Sequence, residues 1–487
     1  MKQRLSRLAV MLLALLIALS TVGCTPPDRD PVIVEPDDFE NYREIEMWIG
    51  GTQWKGDNDI MLRSFLDDFN DGLLGDAAKA LNMKVNYNYM ADISAIELST
   101  AIEHKNTNPN LVIWDRFETP TAANSGYLEA VDPFFTAEEL ALIAPAAMNE
   151  MKYHYRETQE TKQYFGMPID VDPWGVYINL DAVQTHNSSR DPGDGEYIDI
   201  ETELTETWTW KDYYEVSKKL VAGGRRVTNG DLEQHLFKFM VSTGSDLVTI
   251  EGDQITVNTD SDEIQDVLRF CRDLANDMTQ VSNPEPGQFI TGQIALYNSP
   301  TYLEGLIKMI NPNFTNYKFL PWPRYVKNWK SQTPTEMPGA VNGGMIGGFA
   351  LVTPYLRNVA HRQEADTFFP DKSFYNMQTA RTMAFMKWWT IGEGAEHWAK
   401  KTQTLPALTS LYEKEGVITS PVIQAASRYV GDYKARPSVV GFLEYQVQTI
   451  NTQVISWIGS TGTSTDLENI LNSLRSQAEW NLQINIF

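Results

Sequence analysis

Cysteine, histidine and basic charge are all scarce in this chain of 487 residues, and each scarcity closes off a class of function. Only two cysteines occur, Cys24 and Cys271. Cys24 lies beside an N-terminal apolar run, so no internal disulfide is available and Cys271, inside the helical pattern "IQDVLRFCRDLANDM", is expected as a buried thiol. Six histidines, His104, His154, His186, His235, His361 and His397, are scattered with no pair at metal-ligand spacing. A G-x-S-x-G elbow, a Cys–His grouping and a dinucleotide fingerprint are also missing, so catalysis is unsupported and no metal or cofactor is expected. Basic residues number 40 against 64 acidic ones, a net charge of −24 that repels nucleic acid and anionic headgroups. The apolar run from Leu8 to Leu19 falls short of the roughly 18 to 20 residues that a spanning helix needs.

What is present begins with that run. Lys2, Arg4 and Arg7 precede it and small residues follow it, the pattern of an export signal over residues 1–23. The phrase "TVGC" resembles the lipobox of bacterial lipoproteins, with Thr21 where that motif usually has Leu. The resemblance implies cleavage after Gly23, acylation of Cys24 and an extracytoplasmic protein anchored by lipid to the outer face of a bacterial membrane. Losing the three leader cations leaves 37 basic against 64 acidic residues, a mature charge of −27. Residues 24–43, "CTPPDRDPVIVEPDDFENYR", are rich in Pro and Asp without apolar periodicity and read as a solvated tether.

Beyond the tether, short apolar runs alternate with amphipathic helices. "IEMWIGG", "KVNYNYM" and "NLVIWD" have strand character, and "DIMLRSFLDDFNDGL" is a helix with Met61, Phe65, Leu66 and Phe69 on one side. "SAIELSTAIEHK" also has helical spacing, and Thr136 with Glu139 three residues on forms a capping-box pattern. The alternation predicts an α/β fold with mostly parallel sheets covered on both faces. At 487 residues, two or three domains are expected.

The order of segments resembles that of the sugar-binding extracellular solute-binding proteins of ABC transporters. "IEMWIGGTQWKGDNDIMLRSFLDDFND" is similar to that family's first strand, ligand loop and helix, and "LVIWDRFETPTAANSGYLEAVDPFF" to its strand leading into the site. "YFGMPIDVDPWGVYINLDAV" resembles the first crossing between lobes; "FITGQIALYNSPTYLEGL", "GGMIGGFALVTPYLRN" and "TQTLPAL" follow in the family's order. The resemblance implies a two-lobe periplasmic-binding-protein-like (Venus flytrap) fold with three crossovers, at "MPIDVDP", "FLPWPRY" and "TLPAL". The N-lobe then takes residues 44–170 and 325–404, and the C-lobe 172–321 and 408–487. A carbohydrate ligand in the cleft, ABC permease subunits as partners and a monomeric state come with it. Insertions near 185–205 and 357–376 favour an oligosaccharide.

A sugar presents hydroxyls in a plane and apolar C–H faces, so its site needs carboxylates, planar donors and aromatic faces. Asp115 and Arg116 end a buried strand, and Asp170 and Asp172 share one strand face. The resemblance places Asp115, Arg116 and Asp172 in the ligand site. Thirteen tryptophans offer platforms: Trp48 and Trp54 in the first loop region and Trp174 after the crossing, with Tyr302 in place of a loop Trp and Tyr445 from the C-lobe. Trp388, Trp389 and Trp398 fall at helical spacing and are expected to pack inward. The glycine-rich "NGGMIGG" lacks a phosphate-loop ending, so it is better read as a close backbone approach near the crossing, with Gly343 also a candidate to line the cleft. Two carboxylates are all that a secreted glycosidase or lyase needs, so that alternative stays open here, as does a sugar-sensing or adhesive surface lipoprotein.

Overall fold

The computed structural model describes residues 44–50, 57–90, 98, 109–153, 163–227, 232–251, 254–278, 285–353, 373–435, 439, 441–458 and 464–484. The leader, Cys24, the tether, Trp54 and most of "SAIELSTAIEHK" lie outside the described residues.

One sheet has the order β2-β1-β3-β16-β6, formed by β1 (Glu44–Gly50), β2 (Lys84–Met90), β3 (Leu111–Asp115), β6 (Met167–Pro168) and β16 (Phe349–Val352). β1 runs parallel to β2 and β3, whereas β16 is antiparallel to β3 and β6. Alternation divides the side chains. Ile45, Met47, Ile49, Leu111 and Ile113 enter one core, and Trp48, Val112 and Trp114 enter the other. Helix Asp57–Asn70 inserts Phe65 and Phe69 into the first core, their rings 4.8 Å from Trp389 and Trp388 respectively. Trp398 is buried with them, so all three helical tryptophans pack inward as expected. The Thr136–Glu139 capping box forms in both directions, at 2.9 and 3.2 Å.

The second lobe centres on β7 (Asp170–Asn179), β8 (Arg226–Val227), β11 (Ile294–Pro300) and β12 (Tyr317–Pro321), in the order β12-β7-β11-β8. Here β7 is antiparallel to both neighbours, so the expectation of mostly parallel sheets holds only for β1 with β2 and β3 and for β11 with β8. Cys271 is fully buried beneath this sheet, and burial pushes its thiol well above the usual range.

The two lobes meet along the first half of β7. β15 (Ile346–Gly347) pairs Ile346 with Pro173 and Gly347 with Asp172, and β17 (Leu405–Pro406) pairs Leu405 with Val171 and Pro406 with Asp170. Three segments thus cross side by side. The crossings at "MPIDVDP" and "TLPAL" fall where the sequence places them, but "FLPWPRY" is not one. Trp322, Tyr325 and Trp329 stay in the C-lobe core, with Tyr325 4.7 Å from Trp210, Trp322 5.0 Å from Phe239 and Trp329 5.2 Å from Phe270. Ala340 and Met345 belong to the same core, so the chain returns to the N-lobe at β15 and not at residue 325. Each buried ring of this size is worth about 1.5–3 kcal/mol, which is why the aromatic run follows the C-lobe.

Candidate functional site

β7 is buried along nearly its whole length, and only Asp172 and Trp174 are partly open. They mark the floor of the candidate site. Asp172 Oδ1 accepts the Thr301 hydroxyl at 2.8 Å and the Tyr302 N–H at 3.3 Å. Tyr302 starts the helix Leu303–Ile310 just after β11 and leaves its side chain 42% exposed. From the other lobe, Asp115 ends β3 half-buried, opposite Phe349 of β16, at the carboxyl end of parallel strands where open α/β sheets bind ligands.

Beneath this floor lies a charged cluster. Asp170 is buried, and its Oδ1 accepts the Phe349 N–H at 2.8 Å. Arg116 is 0% exposed and places Nε 2.8 Å from Glu150 Oε2. Burial pushes the Asp170 carboxyl up to about 6, against the lowering pull of the Phe349 N–H and of Arg116. Burial also pushes Asp172 up to about 7, with the charge of Asp170 adding to it and the Thr301 hydroxyl opposing it. The partly open edge of Asp172 does not offset the protein packed around its carboxylate.

Gly348 holds this cluster together. It has φ +129°, and a Cβ there would stand 2.6 Å from Asp170 Oδ1 and 2.7 Å from Arg116 Nη2. No side chain fits between those charges.

Five sequence candidates land elsewhere, the first being Asp170, enclosed below the floor with its Oδ1 on the Phe349 N–H. Arg116 does not reach the cleft, because just past the end of β3, where Asp115 pairs with Phe349 of β16, its side chain turns inward to Glu150; it is a counter-ion below the floor. Trp48 is 8% exposed and packs with Val112, Trp114 and Val352, because strand alternation sends it to the core on that face of the sheet. Tyr445 is 0% exposed and donates its hydroxyl to Leu474 O at 2.8 Å within the C-lobe core. Gly343 is buried against residue 432, where a Cβ would meet Asp432 O at 2.4 Å, so it serves a close backbone approach and does not line the cleft. Trp54 lies outside the described residues. Sequence reasoning missed Thr301, Glu150 and Gly348. Thr301 sits inside the singled-out "NSPTY", and Gly348 closes "NGGMIGG", but nothing near Glu150 signals an arginine 34 residues earlier.

Among the described residues, no three His, Cys, Asp or Glu side chains are grouped to hold a metal ion.

Two lobes joined by three crossing segments, with partly open polar and aromatic side chains at the crossing, define the class of two-lobed extracytoplasmic binding proteins. The sequence profile described as bacterial extracellular solute-binding protein matches residues 66–426, and the chain belongs to that family, one of binders and not of enzymes. Solved structures agree in fold. The GacH receptor of Streptomyces glaucescens, solved unliganded and with acarbose, is similar with a TM-score of 0.65 at 14% identity, over 91% of this chain and 99% of that one. The maltose-bound MalE3 of T. maritima gives 0.62 at 17%, over 89% and 99%, and the sugar-binding protein MalE of Xanthomonas citri gives 0.63 at 14%, over 91% and 98%. No curated protein sequence matches.

Proposed function

We propose that this protein is the substrate-binding component of an ABC importer for a carbohydrate, with an oligosaccharide favoured. The observation that carries the reading is the pair of partly open positions on β7: Asp172, a hydroxyl acceptor, and Trp174, a flat apolar face, beside the exposed ring of Tyr302. That is the chemistry a pyranose needs, and similar folds were solved with acarbose, maltose and mannotriose bound. Asp115 reaches the ligand from the N-lobe and Asp172 from the crossing. Contacts from both lobes exist together only when the lobes are shut, so the ligand shifts the population to a closed form that the permease subunits recognise.

The protein acts as a monomer tethered through an acylated Cys24, outside the cytoplasm. A thermal-shift screen of glycans, including maltose, mannotriose and acarbose, tests the reading, since a ligand of the folded state raises the melting temperature. A rise with an oligosaccharide is expected. A flat response across neutral glycans, with a rise for amino acids or peptides, overturns it.

A further inference from the structure

Lys238 sets its ammonium against the Trp174 ring, and the carbohydrate reading gives it no task. It lies on the helix Leu232–Ser242 between the buried Phe237 and Phe239, and is 1% exposed. Its Nζ stands 3.1 Å from the centroid of the Trp174 ring and 5.9 Å from that of Trp322. An ammonium loses hydration when it is enclosed, and a methionine of similar length fills the same space without that loss. Shape alone therefore does not account for a lysine here. Among what it gains is the negative face of an indole, an attraction that strengthens as water is removed.

The ring it faces matters for the site. Of the two rings on β7, Tyr177 is enclosed and Trp174 is partly open. With Lys238 on one face, Trp174 has only its other face and its edge for anything outside. Gly347 lies beside that edge: a Cβ added there would stand 4.0 Å from Trp174 Nε1, an ordinary contact. The Trp174 carbonyl is meanwhile held by the Tyr433 hydroxyl at 2.8 Å, which fixes the backbone but leaves the ring's torsions to the side-chain contacts.

We infer that Lys238 is a positioning residue for ligand binding: its ammonium fixes the plane of Trp174, so that the indole is presented already oriented for stacking. A ring held in its bound orientation loses less conformational freedom when a ligand stacks on it, and the affinity gained this way is lost without the charge. Lys238 itself stays covered and acts only through Trp174. The ligand part of this inference rests on the carbohydrate reading, whereas the contact does not.

The test labels the intact protein with 5-fluorotryptophan and assigns the Trp174 fluorine resonance by its disappearance in Trp174→Phe. Lys238→Met keeps the volume and Lys238→Gln keeps polarity, and both remove the charge. Both are expected to shift and broaden the Trp174 resonance while the resonances of the core tryptophans of the other lobe, Trp114, Trp389 and Trp398, stay in place. An unmoved Trp174 resonance in either folded variant overturns the inference, because a filler or a hydrogen-bonding side chain then serves as well as a cation. Mannotriose and maltose are next titrated into each protein. About tenfold weaker binding in both variants is expected for the sugar that moves the Trp174 resonance. Equal affinity despite a displaced resonance overturns the positioning role. A Trp174 resonance that depends on Lys238 but responds to neither sugar, while another tryptophan does respond, overturns the placement of the ligand at Trp174 and leaves the contact standing.

Discussion

Asp170 and Asp172 lie two residues apart on β7 and are bonded to opposite lobes. Asp170 accepts the Phe349 N–H of the N-lobe sheet at 2.8 Å, and Asp172 accepts the Thr301 hydroxyl of the C-lobe at 2.8 Å. The crossing strand is thereby tied on both sides of the joint by carboxylates of one face, close enough for their charges to interact. Rotation of the lobes would strain these two bonds, and the proposed ligand would meet the same strand.

The pair makes stability depend on pH. Both carboxyls titrate higher in the folded protein, at about 6 and about 7, than the roughly 3.9 of an unfolded aspartate. Between those values the folded state binds more protons than the unfolded one, so stability falls as pH rises from about 4 through 7 and levels off above. Melting temperatures measured from pH 5 to 8 are expected to decline for the wild type. Asp172→Asn is expected to flatten that decline, and an equally steep decline in the variant contradicts the assignment.

Arg116 is predicted to serve stability and not ligand recognition. Replacing it by Met removes the ion pair that Glu150 makes while enclosed, and breaking a buried pair in this way costs about 3–5 kcal/mol. Chemical denaturation should show that loss. The double variant Arg116→Met, Glu150→Gln should recover part of it, because the stranded charge is gone. A stability loss under 1 kcal/mol for Arg116→Met, with weakened glycan binding, returns Arg116 to the ligand site.

Gly348→Ala is expected to destabilise by at least the 1–3 kcal/mol typical of one strained backbone position, since its φ of +129° disfavours a side chain and its Cβ meets charged atoms at 2.6 and 2.7 Å. Gly416→Ala, at φ +74° with no atom within 4 Å of the added Cβ, separates the two causes. It bears backbone strain without the collision and should lose less, as read from the shift in denaturation midpoint.

The lipid anchor is tested by fractionation. Cys24→Ala is expected to move the protein from the membrane fraction to the soluble one; unchanged membrane retention contradicts the anchor.

Much of the architecture was legible because periodicity survives burial. The first three strands, the helix with Phe65 and Phe69, the capping box at Thr136 and the inward tryptophans all follow from spacing of two or of three to four. The second crossing was misplaced because "FLPWPRY" has the Pro-rich look of a linker, while its rings dock on Trp210, Phe239 and Phe270, contacts remote in sequence. For the site, "DVDPW" was readable, because alternate positions of one strand must share a face. Arg116 was not. Whether an arginine at a strand end faces a cleft or a buried glutamate depends on where Glu150 lies, and no local pattern carries that information. Trp48 failed for a related reason: alternation gives its face of the sheet, but not which face the cleft adjoins.

The central claim is that a carbohydrate is held where Asp115, Asp172, Trp174 and Tyr302 converge at the crossing. Calorimetric titration with the best glycan from the screen, on wild type, Asp115→Ala and Tyr302→Ala, tests it most directly. Removing one charge-assisted hydrogen bond costs roughly 1.5–3 kcal/mol, or about ten- to a hundred-fold in affinity. Losing the Tyr302 platform should weaken binding at least fivefold, at about 1 kcal/mol for a stacking contact. Both variants should unfold within about 0.5 kcal/mol of wild type, because their side chains are partly or well exposed. Full affinity in both variants, with lowered stability, contradicts the account.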